Sequence, residues 1–232
     1  MLFRSPADID AAKKFLAAQT AIIDARKPEM KPLTLVTEKM PFREGRGVVL
    51  SPSSGVDRLL MKNSPSFPDG NFTLEAFVVL NSLYPDGQVR TIASHWDGSR
   101  SHPGWTFGIT GKQSRYKPQT LVLLLNGEGT LNKEPEPIFS GLHIEIGKPY
   151  YVAVSVNVAD QQNGVTFYAK DLSNDDLPLQ IATQPHTTVA AIRSSAEFTL
   201  GARGRSTGTH GTATHVWDGI IDDVRFSRTA LP

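Results

Sequence analysis

Asn71–Leu80 reads NFTLEAFVVL. In an extended chain Phe72, Leu74, Ala76 and Val78 share one face while Thr73 and Glu75 take the other, the pattern of a strand with one side on a core. The same period of two runs on through the chain. YYVAVSVN groups Tyr150, Val152, Val154 and Val156, and GVTFYAKD alternates Val165, Phe167 and Ala169 with Thr166, Tyr168 and Lys170. WTFGIT and EFTLGA behave alike. TLVLLLN, Thr120–Asn126, is apolar on both faces and is expected inside a sheet covered on both sides. YPDG, HWDG, DQQNG and SNDD set turn chemistry between these runs. Many short strands joined by turns predict an all-β fold, a sandwich or jelly roll of antiparallel sheets.

Before this pattern begins, the period is helical. Ser5 is followed by Pro6 and, three residues after the cap, by Asp8, which is a helix start. Ile9, Ala12, Leu16 and Ile23 then recur at helical spacing, with Phe15 and Ile22 beside them, until Pro28 stops the run. The expected organisation is an N-terminal α-helix and linker over residues 1–32, then one β-sandwich over residues 33–232. The helix is amphipathic and is expected to dock on the domain's edge or join an upstream domain.

Composition narrows the function classes. Of 232 residues, 39% are hydrophobic and 20% charged, which suits a sizeable core rather than disorder. A net charge of +1 gives no global pull toward nucleic acid or an anionic membrane. With no cysteine, disulfides, thiol catalysis and cysteine-based zinc sites are excluded. No window approaches the ~20 apolar residues of a membrane span, so no membrane insertion is expected. The opening residues lack the apolar stretch of a signal peptide, an absence without weight in a fragment of a longer protein.

The last sixteen residues read WDGIIDDVRFSRTALP, Trp217–Pro232. Gly219, Ile221, Asp222, Asp223, Val224, Arg225, Phe226 and Arg228, following the ordered runs FTLEAFVVL, IASHWDG, GWTFGIT, PYYVAVSVN, GVTFYAKDL and FTLGAR, resemble a laminin-G-like domain of the bacterial type. That family belongs to the concanavalin A-like lectin/glucanase superfamily. Thr229 shifts the family's usual ending by one residue, and the resemblance covers about residues 45–232. It implies a jelly-roll sandwich of two curved antiparallel sheets with first and last strands side by side. It also implies an extracytoplasmic setting in a multidomain bacterial protein, and calcium, which such domains often hold at the sandwich rim, as a candidate cofactor.

Chemistry is sparse. Glycosidases of the superfamily carry carboxylates two residues apart on one strand face, because acid and nucleophile must flank one sugar bond. Here Glu75 and Glu145 stand alone, and adjacent Asp222 and Asp223 point to opposite faces of a strand. No nucleophile elbow or phosphate loop is present. The six histidines show no metal-ligand spacing. Asp97 in HWDG is the candidate calcium ligand, with Asp86 in YPDG behind it; for both, a simple Asp-Gly turn is the favoured reading.

Loops on a rigid sandwich are where binding resides. HWDGSRSHPGW offers Trp96, Asp97 and Arg100; GKQSRYKPQ offers Arg115 and Tyr116; RGRSTGTHGTATH offers Arg203 and Arg205. Aromatic faces and charged or polar side chains are what a glycan site uses. The first two loops flank one strand at opposite ends, so they need not converge. In the closing strand, alternation places Asp222 with Ile220, Val224 and Phe226 on the core face. Asp222 is then expected as a buried, fully hydrogen-bonded carboxylate. Arg225 is expected as the cross-strand partner of Glu75, with Asp223 nearby. The functional expectation is a noncatalytic recognition module for a glycan or protein ligand. A structural spacer packed on neighbouring domains of the same chain is the alternative, and a diverged glycoside hydrolase stands behind both.

Overall fold

The computed structural model describes residue 14 and residues 47–52, 58–68, 70–129, 134–189, 192–204 and 214–230. The chain divides into two units, Met1–Leu35 and Val36–Pro232, and every described strand lies in the second. The helix expected at the N-terminus, Lys14 aside, lies outside the described residues, as does Arg205.

Among the described residues, twelve strands form two six-stranded antiparallel sheets, the arrangement of a jelly-roll sandwich. The first sheet runs β1 (Val48–Leu50), β12 (Gly219–Ser227), β3 (Phe72–Leu80), β8 (Pro149–Val156), β9 (Val165–Asp171), β10 (Gln180–Gln184). The second runs β2 (Leu59–Met61), β11 (Phe198–Leu200), β4 (Arg90–His95), β5 (Gly104–Ile109), β6 (Thr120–Asn126), β7 (Glu136–His143). The last strand, β12, lies between the first strand and β3, as the family resemblance implies.

Alternation fills the space between the sheets. Phe72, Leu74, Ala76, Val78 and Leu80 of β3 are all at most 1% exposed, and Val152, Val154 and Val156 of β8 are fully buried beside them. From the opposite sheet come Trp105, Phe107 and Ile109 of β5 and Leu121, Leu123 and Leu125 of β6. Each such side chain contributes ~1.5–3 kcal/mol on leaving water. One end of the core is aromatic: the rings of Phe72 and Trp105 stack at 4.7 Å, and Phe226 packs 5.7 Å from both Trp105 and Phe198.

Register departs from simple alternation in β12. Asp222 pairs with Phe77 and Arg225 with Glu75, so three steps on β12 match two on β3, and Asp223 takes up the extra residue at φ 45°. This is a β-bulge, and an aspartate tolerates that left-handed conformation better than most residues. The bulge exchanges the faces. Ile221, opposite Val78, is buried before it, and Phe226, opposite Leu74, packs on the core after it. Asp222 is consequently not a buried core carboxylate; it is half-buried, and one of its oxygens accepts the Asp223 amide at 2.8 Å.

β12 starts at Gly219, φ 142°, where a Cβ would sit 1.9 Å from the Val79 carbonyl oxygen, so only glycine lets the two strands approach there.

Candidate functional site

The expected cross-strand pair faces across β3 and β12, with Glu75 and Arg225 in register. Their hydrogen bonds go elsewhere. The Tyr151 hydroxyl donates to Glu75 at 2.7 Å, and the Arg225 guanidinium donates to Asp223 at 2.8 Å. Burial and the Glu75 charge push the Tyr151 phenol well above its ordinary value, so it remains a proton donor to that carboxylate. These four residues are occupied with one another on the closing sheet.

The HWDG loop is equally self-contained. Trp96 is 3% exposed, and its indole N–H donates to the carbonyls of Ser99 and His102. Its ring is not half-open, as a sugar platform requires, but buried, with the Arg203 guanidinium 5.2 Å from its centroid. Asp97 accepts the Ser99 amide at 2.8 Å and faces His102 Nδ1 at 2.6 Å, the bonding of an Asp-Gly turn. Arg100 is ion-paired with Glu134, both exposed. Buried Asn126 fastens the loop by donating to the carbonyls of Ser99, Arg100 and His102. Among the described residues, no group of three or more His, Asp or Glu is placed to hold a metal ion.

Arg115 and Tyr116 lie at the other end of β5, at a depression of about 580 Å³ on the outer face of the second sheet. The TLVLLLN run explains its floor. Leu121, Leu123 and Leu125 point into the core, which leaves Val122 and Leu124 on the outer face. The registers Val122↔Phe139 and Leu124↔Pro137 bring two further apolar side chains of β7 alongside. Among the described residues no third layer covers Leu124: it is half-exposed, and the expectation of a strand covered on both sides fails at this position. Tyr116 is 67% exposed, and its ring stacks on Phe139 at 5.0 Å and 28°.

Three segments wall this floor. The Lys112 and Gln113 amides donate to the carbonyls of Tyr84 and Asp86 at 2.9 and 3.1 Å, which joins the 84–88 loop to the 111–116 loop. Asp86 accepts both the backbone and side-chain nitrogens of Gln88, at 2.9 and 2.8 Å. The Gln88 backbone bond leads in holding the Asp86 carboxyl below its ordinary value, and the Gln88 side-chain bond adds to it against the opposing effect of desolvation. The third segment, at His215, is fixed where the Thr91 backbone amide donates to the His215 carbonyl at 3.0 Å. Beneath the walls lies Arg90, 5% exposed. Its guanidinium donates to Ser82 O, Ser82 Oγ and Val216 O at 3.1, 2.9 and 2.6 Å, and lies 3.9 Å from the centroid of the Tyr84 ring. The Ser82 hydroxyl donates in turn to Asp218.

The site therefore assembles Arg115 and Tyr116 with Leu124, Pro137, Phe139, Gln88, Gln113 and Asp86. It leaves Trp96, Asp97, Arg100 and Arg203 in a separate cluster. Phe139, Leu124 and Gln88 carry no motif; the surplus of apolar residues on the second face of β6 was a signal for Leu124, while Phe139 and Gln88 reach the site only through the fold.

No protein-family model and no curated protein sequence matches the chain. Solved structures do resemble it. A CBM40 module of the Ruminococcus gnavus IT-sialidase, bound to α2,3-sialyllactose, aligns at 13% identity with a TM-score of 0.52, over 80% of this chain and 91% of that one. Tailspike protein 2 of the Escherichia coli O157:H7 bacteriophage CAB120 aligns at 17% identity with a TM-score of 0.53, over 78% of this chain but 22% of its own length. At these identities the likeness is one of fold.

Proposed function

We propose that this domain is a noncatalytic, laminin-G-like module that recognises glycans, with the depression beside Tyr116 as its sugar site. The observation that carries the reading is the exposed Tyr116 ring, held nearly parallel to Phe139 over an apolar floor and ringed by Arg115, Gln113, Gln88 and Asp86. Small-ligand sites are concave, largely apolar and furnished with a few placed polar groups. An exposed aromatic ring that another ring already orders is a platform with little conformational entropy left to lose. The CBM40 module of like fold was solved with a sialylated sugar, and the proposal extends that ligand class, glycans, to this chain. Hydrolysis is not part of the reading. Asp86 is the one carboxylate lining the depression among the described residues, whereas glycosidases need two on either side of the bond. An extracytoplasmic setting in a larger protein accompanies the proposal.

The test is a glycan array, with calcium and with chelator, probed by the wild-type domain and by Tyr116→Ala. Retention of a defined glycan set, weakened at least about tenfold by Tyr116→Ala, is the expected result. An empty array, or a variant that binds as the parent does, overturns it. A second reading, a spacer packed on a neighbouring domain, draws on one observation: edge strand β2 exposes Leu59, Leu60 and Met61 by 41%, 52% and 55%.

A further inference from the structure

Resting on the glycan reading of the Tyr116 depression, we infer that its ligand is an N-acetylated sugar, with the acetamido group seated over Leu124 and Pro137.

The floor is more apolar than a bare hexose can match. Besides the two rings it presents Leu124 and Pro137, with Val122 and Val89 packed among them. A pyranose has C–H groups on its faces and hydroxyls around its edge. The faces suit Tyr116. A hydroxyl set over Leu124 or Pro137 would leave water and find no hydrogen-bond partner, which is costly. A methyl group in the same place would gain by burial.

The rim selects among methyl-bearing sugars. Gln88 and Gln113 both stand exposed at its lip. The Gln88 side-chain nitrogen donates to Asp86 at 2.8 Å, so what this exposed side chain has to offer a ligand is its carbonyl oxygen, an acceptor. An acetamido group carries a methyl, an N–H and a carbonyl within one planar unit. It can therefore place its methyl on the aliphatic floor, its N–H toward a glutamine oxygen and its carbonyl toward an amide or guanidinium donor. A 6-deoxy sugar supplies the methyl alone. Charge does not oppose this: Asp86 and Arg115 offset one another in the lining, with His215 beside them, so no strong field of one sign calls for a charged sugar.

The experiment titrates the domain by NMR with the methyl glycosides of N-acetylglucosamine, N-acetylgalactosamine, glucose, galactose and fucose. The acetamido sugars are expected to bind about tenfold or more tighter than their parent hexoses, from methyl burial and an avoided unpaired hydroxyl together. Leu124→Asn should draw that ratio toward one, and Gln88→Ala should lower it too. Gln88 is exposed, so Gln88→Ala keeps the test available if Leu124→Asn does not fold. Equal, Tyr116-dependent binding of the parent hexoses would overturn the inference and leave the glycan reading standing. Preference for fucose alone would overturn it as well. Binding of no sugar in any arm would remove both.

Discussion

Replacing Arg90 by methionine should cost the domain about 3 kcal/mol, and the number follows from what the side chain holds. The guanidinium makes three hydrogen bonds at 2.6–3.1 Å, to Ser82 O, Ser82 Oγ and Val216 O, while only 5% exposed. Bonds from a charged donor contribute roughly 1.5–3 kcal/mol each, and the face contact with Tyr84 contributes about 1 kcal/mol more. Against this stands the desolvation of a buried cation, which methionine does not incur. The carbonyls of Ser82 and Val216 lose a donor, and the Asp218 carboxylate loses the positive end of the relay that reaches it through the Ser82 hydroxyl. Severing buried networks of this kind costs about 3–5 kcal/mol, and the lower figure allows for water reaching the vacated groups. In a domain of this size that is a fall in Tm of about 6–12 °C. Urea denaturation and a thermal melt of wild type, Arg90→Met and Arg90→Lys measure it. Arg90→Lys should recover part of the loss, because it keeps the charge but not the fork of donors. Because the same bonds hold the 82–84 and 216 segments next to the walls of the depression, Arg90→Met should also weaken the proposed glycan binding at a temperature where it remains folded. A methionine variant within about 1 kcal/mol of wild type would refute the reasoning.

Gly219→Ala should fail to accumulate as soluble protein, since its Cβ would overlap the Val79 carbonyl oxygen at 1.9 Å; a soluble variant of normal Tm would contradict that contact. Tyr116→Ala, by contrast, should change stability by no more than about 1.5 kcal/mol, the value of one exposed ring pair, as read from the urea midpoint. Burial holds the His95 imidazole below its ordinary pKa of 6.5, so the unfolded chain binds the proton more readily than the folded one. The stabilisation is complete above the ordinary histidine range and declines as pH falls through it, toward the lower folded value. His95→Phe, which can occupy the ring site between Phe67, Trp105 and Phe198, should flatten the stability profile there. Chelator should leave the wild-type Tm unchanged, because Asp97 already bonds to Ser99 and His102; a fall on adding chelator would show a bound cation.

The fold was legible because alternation is a local property. Phe72, Leu74, Ala76 and Val78 announce a strand without reference to any other part of the chain, and their burial follows. The closing strand shows where that reasoning stops. Nothing in IIDDVRF marks an extra residue, because a bulge is set by how β12 and β3 must twist and pair; alternation carried across it placed Asp222 on the wrong face. The site was legible in part for a related reason. Arg115 and Tyr116 stand out by type and by their loop. Phe139 and Pro137 become their neighbours only through the register of β6 with β7, a pairing between segments that the sequence does not mark. Trp96 stood out by type as well, yet the carbonyls of Ser99 and His102 claim its indole.

The walls of the depression are joined main chain to main chain, through Lys112 N to Tyr84 O and Gln113 N to Asp86 O. Bonds of that sort do not depend on which side chains the residues bear. Gln88, Gln113, Ser114 and Arg115 can thus be varied together, in nature or in a randomised library, while the two loops keep their course. The architecture separates what the cleft prefers from whether it exists, and this domain is accordingly a scaffold on which new ligand specificities can be selected without first repairing the fold.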